Sequence, residues 1–168
     1  MHPAVVTAVL LLVGVLDAVT ARPDTPPASE ICESYEREAC GDGWIQLAKD
    51  RCVKYFETPK TFQEAQDECV SEGGGLVSLH NEGEVIEVLC LSYSASTDRK
   101  QFWIGAERSG EEFKYVDGSA FDYHQWHNGQ PDNFGGDEDC VESNYEEWGL
   151  WNDNVCTKKK PFVCAKKL

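Results

Sequence analysis

Apolar and polar positions divide the chain into segments of clearly different character, and the first of them is a nearly unbroken apolar run over residues 4–16. The run is followed by Val19-Thr20-Ala21, a small-residue pattern typical of signal-peptide cleavage sites. It is too short to cross a bilayer as a helix. The pattern predicts a signal peptide at residues 1–21 and a secreted, extracellular protein without membrane insertion.

The segment after the predicted cleavage site has little apolar character and contains Pro23, Pro26 and Pro27. Proline disfavours helical backbone at the residue before it and lacks a hydrogen-bond donor. We therefore expect an extended, non-helical chain over residues 22–31, and we assign residues 22–39 to an N-terminal linker.

Helical spacing begins at Thr61, which forms a capping-box pattern with Glu64. Four apolar residues then fall on one helical face: Phe62, Ala65, Cys69 and Val70. Asn81, with Glu84 three residues later, predicts the start of a second helix, which is apolar over most of its circumference. The chain is thus predicted to contain two helices, the second of them well buried.

Short runs with strand character lie on both sides of the predicted helices. Residues 44–46 and 53–56 are bracketed by Cys40 and Cys52 and predict a stapled hairpin. Later runs, separated by turn signals, predict strands at residues 102–106, 113–116, 140–143 and 162–165. This arrangement indicates an α+β fold with short antiparallel sheets.

A long stretch between Asp117 and Cys140 is rich in Gly, Asn, Asp and aromatic residues and has little periodicity. Segments of this length without regular structure in a compact domain are usually functional or disordered. The aromatic residues argue against disorder, so we expect a functional loop.

Composition adds two constraints. The formal net charge of -15 makes nucleic acid and anionic membranes poor partners and a divalent cation a good one. The chain of 168 residues has eight cysteines, none of them in a Cys-x-x-Cys pair, which indicates disulfides rather than a zinc or redox site.

Five oxygen-bearing side chains lie in two short segments around the long loop: Gln130, Asp132, Glu138, Asn152 and Asp153. Oxygen ligands of this kind suit Ca²⁺, which accepts roughly six to eight of them, whereas Zn²⁺ usually recruits His or Cys. Pro131 permits a cis peptide bond, which would turn the side chains on both sides of it to one face of the loop. The alternative for these three loop residues alone is an ordinary turn.

Three motifs give the chain a wider resemblance. Trp103-Ile104-Gly105-Ala106 is similar to the Trp-Ile-Gly-Leu strand of the C-type lectin family, and Trp151-Asn152-Asp153 matches that family's Trp-Asn-Asp motif. Glu138-Asp139-Cys140-Val141 matches the segment between them. The resemblance covers residues 40–165 and implies the double-loop fold of a C-type lectin carbohydrate-recognition domain, which we assign to residues 40–168.

The resemblance also implies a way of binding sugar. The five oxygen-bearing residues would hold one Ca²⁺, Asp153 also through its main-chain carbonyl, and two adjacent sugar hydroxyls would replace water on the ion. The same five residues would also bind the sugar, because the carboxylates of Asp132, Glu138 and Asp153 would accept from its hydroxyls and the amide nitrogens of Gln130 and Asn152 would donate to its oxygens. The order Gln130-Pro131-Asp132 goes with galactose and N-acetylgalactosamine in this family, so the expected partners are glycans that end in these sugars. Phe134 either stacks on the sugar or packs within the loop. Innate immune recognition, agglutination, feeding and matrix assembly all stay open as biological roles.

The disulfide scheme of the family implies three pairs, Cys40 with Cys52, Cys69 with Cys164, and Cys140 with Cys156. Cys32 and Cys90 are left unassigned. They could pair with each other, or Cys32 could bridge two chains and give a disulfide-linked homodimer of higher avidity.

The sequence departs from the family pattern in two places. The glycine-rich insertion found after this site in some galactose binders is missing, which predicts incomplete selectivity against mannose. Arg108 stands where relatives with a second Ca²⁺ have an acid. We expect one functional Ca²⁺, with Asn133 and Asp139 as candidates for a weak auxiliary ion.

Other functions are less favoured by the residues. A glycosidase also places carboxylates at a sugar, but carboxylates bound to a cation have lowered pKa values and are poor general acids. His80, His124 and His127 lack a metalloprotease or triad pattern. We predict no enzyme activity and no catalytic residue. The remaining alternative is an extracellular domain that binds protein, matrix, mineral or ice and uses Ca²⁺ only structurally.

Lysines cluster near the C-terminus, at residues 158–160 and 166–167. Such runs usually lie at the surface. We interpret them as a solvated flank of the last strand rather than as a site for anionic glycans.

Overall fold

The structure, a computed structural model, describes residues 28–33, 37–96 and 98–168. The predicted signal peptide at residues 1–21 lies outside the described residues. The predicted limits of the signal peptide, of the linker at residues 22–39 and of the domain at residues 40–168 stay predictions. Within these ranges there are three α-helices, none of which is long and apolar enough to cross a membrane. The helices are α1 (Ala28–Glu33), α2 (Phe62–Ser71) and α3 (Glu82–Ala95), and a 3₁₀ turn covers Phe134–Gly136.

One sheet contains the nine strands of the described ranges. They are β1 (Ala39–Gly41), β2 (Trp44–Leu47), β3 (Arg51–Lys60), β4 (Gly75–Leu76), β5 (Phe102–Ser109), β6 (Glu112–Tyr115), β7 (Cys140–Ser143), β8 (Trp151–Asn154) and β9 (Lys160–Lys167). The main path runs β1-β2-β3-β9-β5-β7-β8, with β4 paired to β9 and β6 paired to β5. The α+β prediction is confirmed, although β5 and β9 pair in parallel, in a fold expected to have only antiparallel sheets.

Both predicted helices are confirmed, and each begins at its predicted cap. The Glu64 amide donates to Thr61 Oγ1 at 3.3 Å, and the Thr61 amide donates to Glu64 Oε2 at 2.9 Å, which completes the capping box of α2. The Glu84 amide donates to Asn81 Oδ1 at 3.0 Å at the start of α3. Local sequence is sufficient here because a cap satisfies amides that have no partner within the helix.

The expectation of an extended chain over residues 22–31 is wrong from Ala28 onward, where α1 begins. A proline-rich sequence does not exclude a helix that begins after it, because proline is tolerated at helix starts, where the N–H that it lacks would have no partner. A helix of six residues is too short to be stable by itself. The disulfide between Cys32 and Cys90 fastens α1 to α3 and supplies the tertiary support.

All eight cysteines are paired, and none of them keeps a free thiol. The structure contains the three pairs that the family resemblance implies. The remaining two cysteines, Cys32 and Cys90, pair within the chain with Cα atoms 5.2 Å apart. This pairing corrects the alternative of a homodimer bridged through either residue, because each thiol is already used.

Two clusters of buried apolar side chains form the core. One joins α3 to the sheet and contains Val85, Val88 and Ile104. The other packs Phe62 of α2 against Trp103 of β5. Gly105 lets β5 pass close to β4, since a Cβ atom there would lie only 2.5 Å from the carbonyl oxygen of Leu76. The glycine of the sequence motif is thus required by close approach of two backbones.

The fold brings three segments to the same place. The long loop connects β6 to β7, and β7 pairs with β8 so that Val141 lies opposite Asp153 and Glu142 lies opposite Asn152. On its other side β7 pairs with β5, which carries Arg108 near its end. The end of the long loop, directly before β7, therefore lies next to β8 and to the end of β5.

Candidate metal and sugar site

Three of the predicted ligands converge at the end of the long loop. Asp132 lies on the loop, Glu138 precedes β7 and Asp153 lies on β8. One carboxylate oxygen from each residue lies within 4.8 Å of the others. Exposure falls across the group, because Asp132 is exposed, Glu138 is partly buried and Asp153 is completely buried. Three negative charges this close repel one another, so the group favours a bound cation.

Main-chain amides of the loop orient the three carboxylates. The amides of Asp132 and Asn133 donate to Oδ1 and Oδ2 of Asp153 at 3.1 and 2.9 Å. The Phe134 amide donates to Asp132 Oδ1 at 3.1 Å and to Glu138 Oε2 at 2.8 Å. Such hydrogen bonds favour the ionised form of a carboxylate. A carboxylate oxygen has two lone pairs, so it can accept one amide and still ligate an ion.

Two backbone positions shape the loop. The Gln130–Pro131 peptide bond is cis, and Asn133 has a left-handed conformation with φ 48°. Asn133 Oδ1 accepts a hydrogen bond from the Glu138 amide at 3.1 Å, which closes the turn between them. Gln130 Oε1 accepts from the Asp132 amide at 3.1 Å. The side-chain oxygen of Asn133, a candidate ligand of an auxiliary ion, therefore already has a partner.

Asp153 has a charged partner in Arg108, whose side chain is 17% exposed. Arg108 Nη2 lies 2.6 Å from Asp153 Oδ2. The guanidinium group also donates to the main-chain oxygen of Glu138 at 3.3 Å, and its Nε lies 3.4 Å from Asp139 Oδ1. A buried carboxylate without a partner would be costly, so Arg108 supplies the charged partner that Asp153 needs in this position.

Asn152 is held by Glu142, a residue outside the predicted ligand set. Glu142 is completely buried on β7, and its Oε1 accepts hydrogen bonds from Nδ2 of Asn152 and Nδ2 of Asn154, both at 2.9 Å. An ionised carboxylate only accepts hydrogen bonds, so the amide nitrogen of Asn152 faces Glu142 and its Oδ1 is left for a ligand.

Lys160 balances the buried charge of Glu142, with Nζ 2.6 Å from Glu142 Oε2. Its side chain is 13% exposed, so its assignment to a solvated flank is wrong. In the sequence Glu142 follows directly on the segment Glu138-Asp139-Cys140-Val141, but nothing local distinguishes it from the other acids of the chain. Its function depends on partners that only the pairing of β7 with β8 and the start of β9 bring together.

The charge environment raises the pKa of Glu138 in the absence of an ion. Burial is the largest cause, and the neighbouring charges of Asp153 and Asp132 also raise this pKa, while the hydrogen bond from the Phe134 amide lowers it. A bound divalent cation adds positive charge and reverses this balance. The protonation of Glu138 is thus coupled to ion binding.

Phe134 presents a ring to solvent beside the carboxylates. Its side chain is 79% exposed, although its amide is bonded to Asp132 and Glu138. The alternative of a ring packed within the loop is therefore wrong. An exposed ring at this place offers a flat apolar surface to a bound molecule.

The chemistry of the group fits Ca²⁺. Three carboxylates supply oxygen ligands, and no His or Cys of the described residues belongs to the group. Two of the histidines have carboxylate partners elsewhere, His80 with Asp122 at 2.9 Å and His127 with Glu146 at 3.4 Å. The carboxamides of Gln130 and Asn152 directly flank the group in sequence. Ca²⁺ accepts such mixed oxygen ligands in flexible geometry, whereas Mg²⁺ demands a tighter octahedron.

Known proteins share the sequence pattern of this chain. Residues 58–166 match the family described as Lectin C-type domain. The chain is 51% identical over 142 residues to the C-type isolectin Sp-CL4 of Scorpaena plumieri, covering 84% of this chain and 99% of that protein. It is 33% identical over 132 residues to the galactose-specific lectin nattectin of Thalassophryne nattereri, covering 77% of this chain and 82% of nattectin.

Solved structures share the fold. The C-type lectin CEL-I from Cucumaria echinata matches with a TM-score of 0.70 and 31% identity, covering 76% of this chain and 97% of that structure. Herring type II antifreeze protein matches with a TM-score of 0.70 and 30% identity, covering 77% of this chain and 99% of that structure. The family match includes α2, α3 and all the predicted ligands. This chain belongs to the Lectin C-type domain family.

Proposed function

We propose that this protein is a secreted, calcium-dependent lectin that binds glycans ending in galactose or N-acetylgalactosamine. The observation that carries the proposal is the convergence of Asp132, Glu138 and Asp153 at a loop with a cis Gln130–Pro131 bond. The similarity to a relative named as a galactose-specific lectin supports the class of sugar.

Five residues would hold the ion: Gln130, Asp132, Glu138, Asn152 and Asp153. When bound, Ca²⁺ would supply open coordination positions for two adjacent sugar hydroxyls. Asp132 and Glu138 are the accessible carboxylates and accept hydrogen bonds from these hydroxyls. Asp153 is completely buried, so it serves the ion and not the sugar directly.

The two carboxamides have unequal roles toward the sugar. An amide nitrogen has two N–H donors. Asn152 uses one of them on Glu142, so one remains for a sugar oxygen. Gln130 uses its oxygen on the Asp132 amide, and both of its N–H groups are available to the sugar. Gln130 therefore offers the sugar more N–H groups than Asn152 does. We expect the galactose preference to act through Gln130.

Phe134 extends the site beyond the ion. The exposed ring lies next to two residues that accept from the sugar, which suits stacking on the apolar C–H face of galactose. We propose that this stacking adds affinity for galactose-type sugars and does not contribute to holding Ca²⁺.

We further propose that the protein has no enzyme activity. Ca²⁺ at this group would lower the carboxylate pKa values, which removes the general acid that glycoside hydrolysis requires. Calcium-independent turnover of a fluorogenic galactoside by the purified protein would contradict this part of the proposal.

Chromatography of the mature protein on a galactose column in Ca²⁺ tests the function. We expect retention, followed by release with EDTA and with free galactose, and weak release with free mannose because the glycine-rich insertion is missing. Release by mannose as readily as by galactose would contradict the sugar class. Absence of retention in Ca²⁺ would contradict sugar binding altogether.

A second candidate is a non-sugar binding domain that uses Ca²⁺ only to order its loop. The similarity to herring type II antifreeze protein favours it, because that neighbour is 30% identical to this chain and is named for antifreeze activity and not for sugar binding. One experiment distinguishes the two functions. A protein that binds Ca²⁺ in a titration but passes through galactose, N-acetylgalactosamine and mannose columns belongs to the second class.

A further inference from the structure

The lysines at the end of β9 meet basic residues that are far away in the sequence. β3 pairs antiparallel with β9, and the register sets Arg51 opposite Lys167 and Cys52 opposite Lys166. Lys54, two residues after Cys52 on β3, lies on the same face of the sheet as Lys166, because side chains alternate along a strand. The pairing of two distant segments thus brings four basic residues to one place.

Two of the ammonium groups lie over one aromatic ring. Lys166 Nζ is 4.1 Å and Lys54 Nζ is 5.9 Å from the centroid of the Trp44 ring, which is almost completely buried. Attraction between each ammonium group and the ring offsets part of the repulsion between the two like charges. The lysine stems already pack on the ring, so an anion that binds them costs less side-chain freedom than it would at free lysines.

Three of these cations have no carboxylate partner within the part of the chain that the structure describes. They are Lys54, Lys166 and Lys167, which we call the basic strip. Arg51 is not included because it is paired with Glu84 at 2.8 Å. Four other lysines also pair with glutamates: Lys60 with Glu68, Lys100 with Glu57, Lys114 with Glu107 and Lys160 with Glu142. The basic strip is therefore a local positive surface on a chain whose formal net charge is -15.

Two open clefts adjoin the basic strip, with volumes of about 380 and 400 Å³. Lys166 and Lys167 line both clefts, so the end of β9 lies between them. Asp117 is the only acid among the described residues that line them, and its carboxylate accepts hydrogen bonds from the hydroxyl groups of Ser78 and Ser119, both at 2.6 Å. The clefts therefore give an elongated anion room on both sides of the lysines.

We propose that the basic strip is a second binding site, independent of Ca²⁺, for a sulfated polysaccharide. Sulfate groups are charged acceptors that ammonium groups bind through charge-assisted hydrogen bonds, and basic clusters of this kind are typical of heparin-binding surfaces. The sequence alone indicates only a solvated flank at residues 166–167, because the lysine that β3 adds is not visible in it. The inference does not use the Ca²⁺ site and goes beyond the proposed function.

The acidity of the rest of the chain favours a thin partner. Charges in solution are screened beyond about 8 Å at physiological ionic strength, so a narrow polysaccharide can follow the basic strip without approaching the acidic remainder of the surface. A membrane plane or a nucleic-acid duplex is wider and would also face that remainder, which repels it. The same screening predicts binding that weakens steeply as salt is added.

Chromatography on heparin, a heavily sulfated polysaccharide, tests the proposal in EDTA, which removes any contribution from Ca²⁺. We expect the wild type to be retained at low salt and released below about 0.5 M NaCl, because salt screens exposed charges. The double variant Lys166→Met with Lys167→Gln should not be retained, although Met keeps an apolar stem on the Trp44 ring. Passage of the wild type through the column, or retention of the double variant at the same salt concentration, would overturn the proposal.

The other lysine run offers a matched control. Lys158→Gln with Lys159→Gln removes two charges from exposed residues that precede β9, so it changes the net charge by the same amount. This variant should elute with the wild type. Equal loss of retention in both double variants would overturn the proposal, because retention would then depend on net charge and not on the basic strip. If Lys166→Met prevents folding, the single variant Lys167→Gln, at an exposed position, should still elute at lower salt than the wild type.

The class of partner is tested with related anions. Desulfated heparin keeps the polysaccharide and its carboxylates, so we expect it to bind the wild type at least tenfold more weakly than heparin. Phosphatidylserine vesicles and duplex DNA should not bind, and binding of either one more tightly than heparin would contradict the proposed partner. The double variant of the basic strip should behave as the wild type on galactose in Ca²⁺. Failure of the wild type to bind galactose would leave the heparin result in EDTA unaffected, so the two proposals fail separately.

Discussion

The two halves of this domain are held together by different forces. Around α2, α3 and the strands β3 and β9, the interior is apolar and the buried polar residues are few. Of the eight buried polar or charged residues in the described ranges, five lie instead on the short piece of chain formed by β7, β8 and the turn between them: Glu142, Ser143, Asn144, Asn152 and Asp153.

The difference shows where the structure tolerates change. Apolar burial is non-directional and depends on area, so the scaffold needs no ion and no single hydrogen bond. Buried polar groups need every partner, because an orphaned donor or acceptor costs about 1–3 kcal/mol. We therefore expect the scaffold and the site to respond independently to mutations, to Ca²⁺ and to pH.

Removing the disulfide between Cys69 and Cys164 should have the largest effect, and it should affect the scaffold. This bond joins α2 to β9 across a sequence separation of 95 residues, and both cysteines are completely buried. We expect Cys69→Ala with Cys164→Ala to lower the free energy of unfolding by about 4–5 kcal/mol in urea titrations. The paired change Cys40→Ala with Cys52→Ala closes only 12 residues and should cost less, about 3 kcal/mol. Equal losses would contradict the chain-entropy explanation.

Glu138→Gln should have the opposite profile, with loss of the site and little change in the scaffold. The variant removes one of three converging carboxylates, so we expect the Ca²⁺ affinity to fall by at least about 100-fold in calorimetric titrations. Its melting temperature in EDTA should not fall, because one repelling charge has been removed. Asp137→Asn is the matched control, since Asp137 is exposed, adjacent and outside the group. A Glu138→Gln protein that melted much earlier in EDTA would show that site and scaffold are coupled.

Glu142→Gln tests the residue that links the two halves. Gln can present its nitrogen or its oxygen to Asn152, so the amide of Asn152 loses its fixed orientation. We expect the Ca²⁺ affinity to fall by about 10–100-fold. The variant also leaves Lys160 without its buried partner, which destabilises the fold. Adding Lys160→Met should restore the stability but not the affinity, and recovery of both would contradict the positioning role.

Calcium binding should depend on pH through Glu138. Burial and the neighbouring carboxylates raise the pKa of Glu138 in the ion-free protein, and the ion binds the ionised form. Affinity should therefore decline as pH falls toward this raised pKa, by up to about tenfold per unit for one proton, and the decline should begin above the ordinary pKa of about 4.3. The folding stability of the ion-free protein should change with pH in the opposite direction. Ionised Glu138 opposes folding above its raised pKa, and this opposition disappears as pH falls. Calorimetry in buffers of different ionisation heat should detect the released proton.

Phe134→Ala should have the smallest effect, confined to sugar binding. Loss of one stacking ring corresponds to about 0.5–1.5 kcal/mol, or roughly tenfold in galactose affinity at most. The Ca²⁺ affinity and the melting temperature should not change, because the ring is exposed and only the amide bonds the carboxylates. Val70→Ala, another exposed apolar residue, serves as the control. A change in Ca²⁺ affinity would contradict the separation of ring and ion.

The sequence predicted the elements whose signals are local. The caps at Thr61 and Asn81, the hairpin of β2 and β3, and four of the later strands, β5, β6, β7 and β9, follow from patterns that span a few residues each, whereas β8 was not predicted. Prediction was wrong at α1, because its stability comes from a disulfide to a distant helix. It also left Cys32 and Cys90 open, since spacing carries no information about which thiols meet in space.

Local patterns were thus enough to predict the fold class, the two capped helices and the set of oxygen-bearing residues around the long loop. The buried charges that support that set could not be predicted, because they depend on how the strands pack in three dimensions. Arg108 reaches Asp153 across 45 residues, and Lys160 reaches Glu142 across 18, because β5, β7, β8 and the start of β9 bring them together. A charged residue in a sequence resembles every other charged residue of its type. Its role appears only when burial removes water and leaves one partner to balance it.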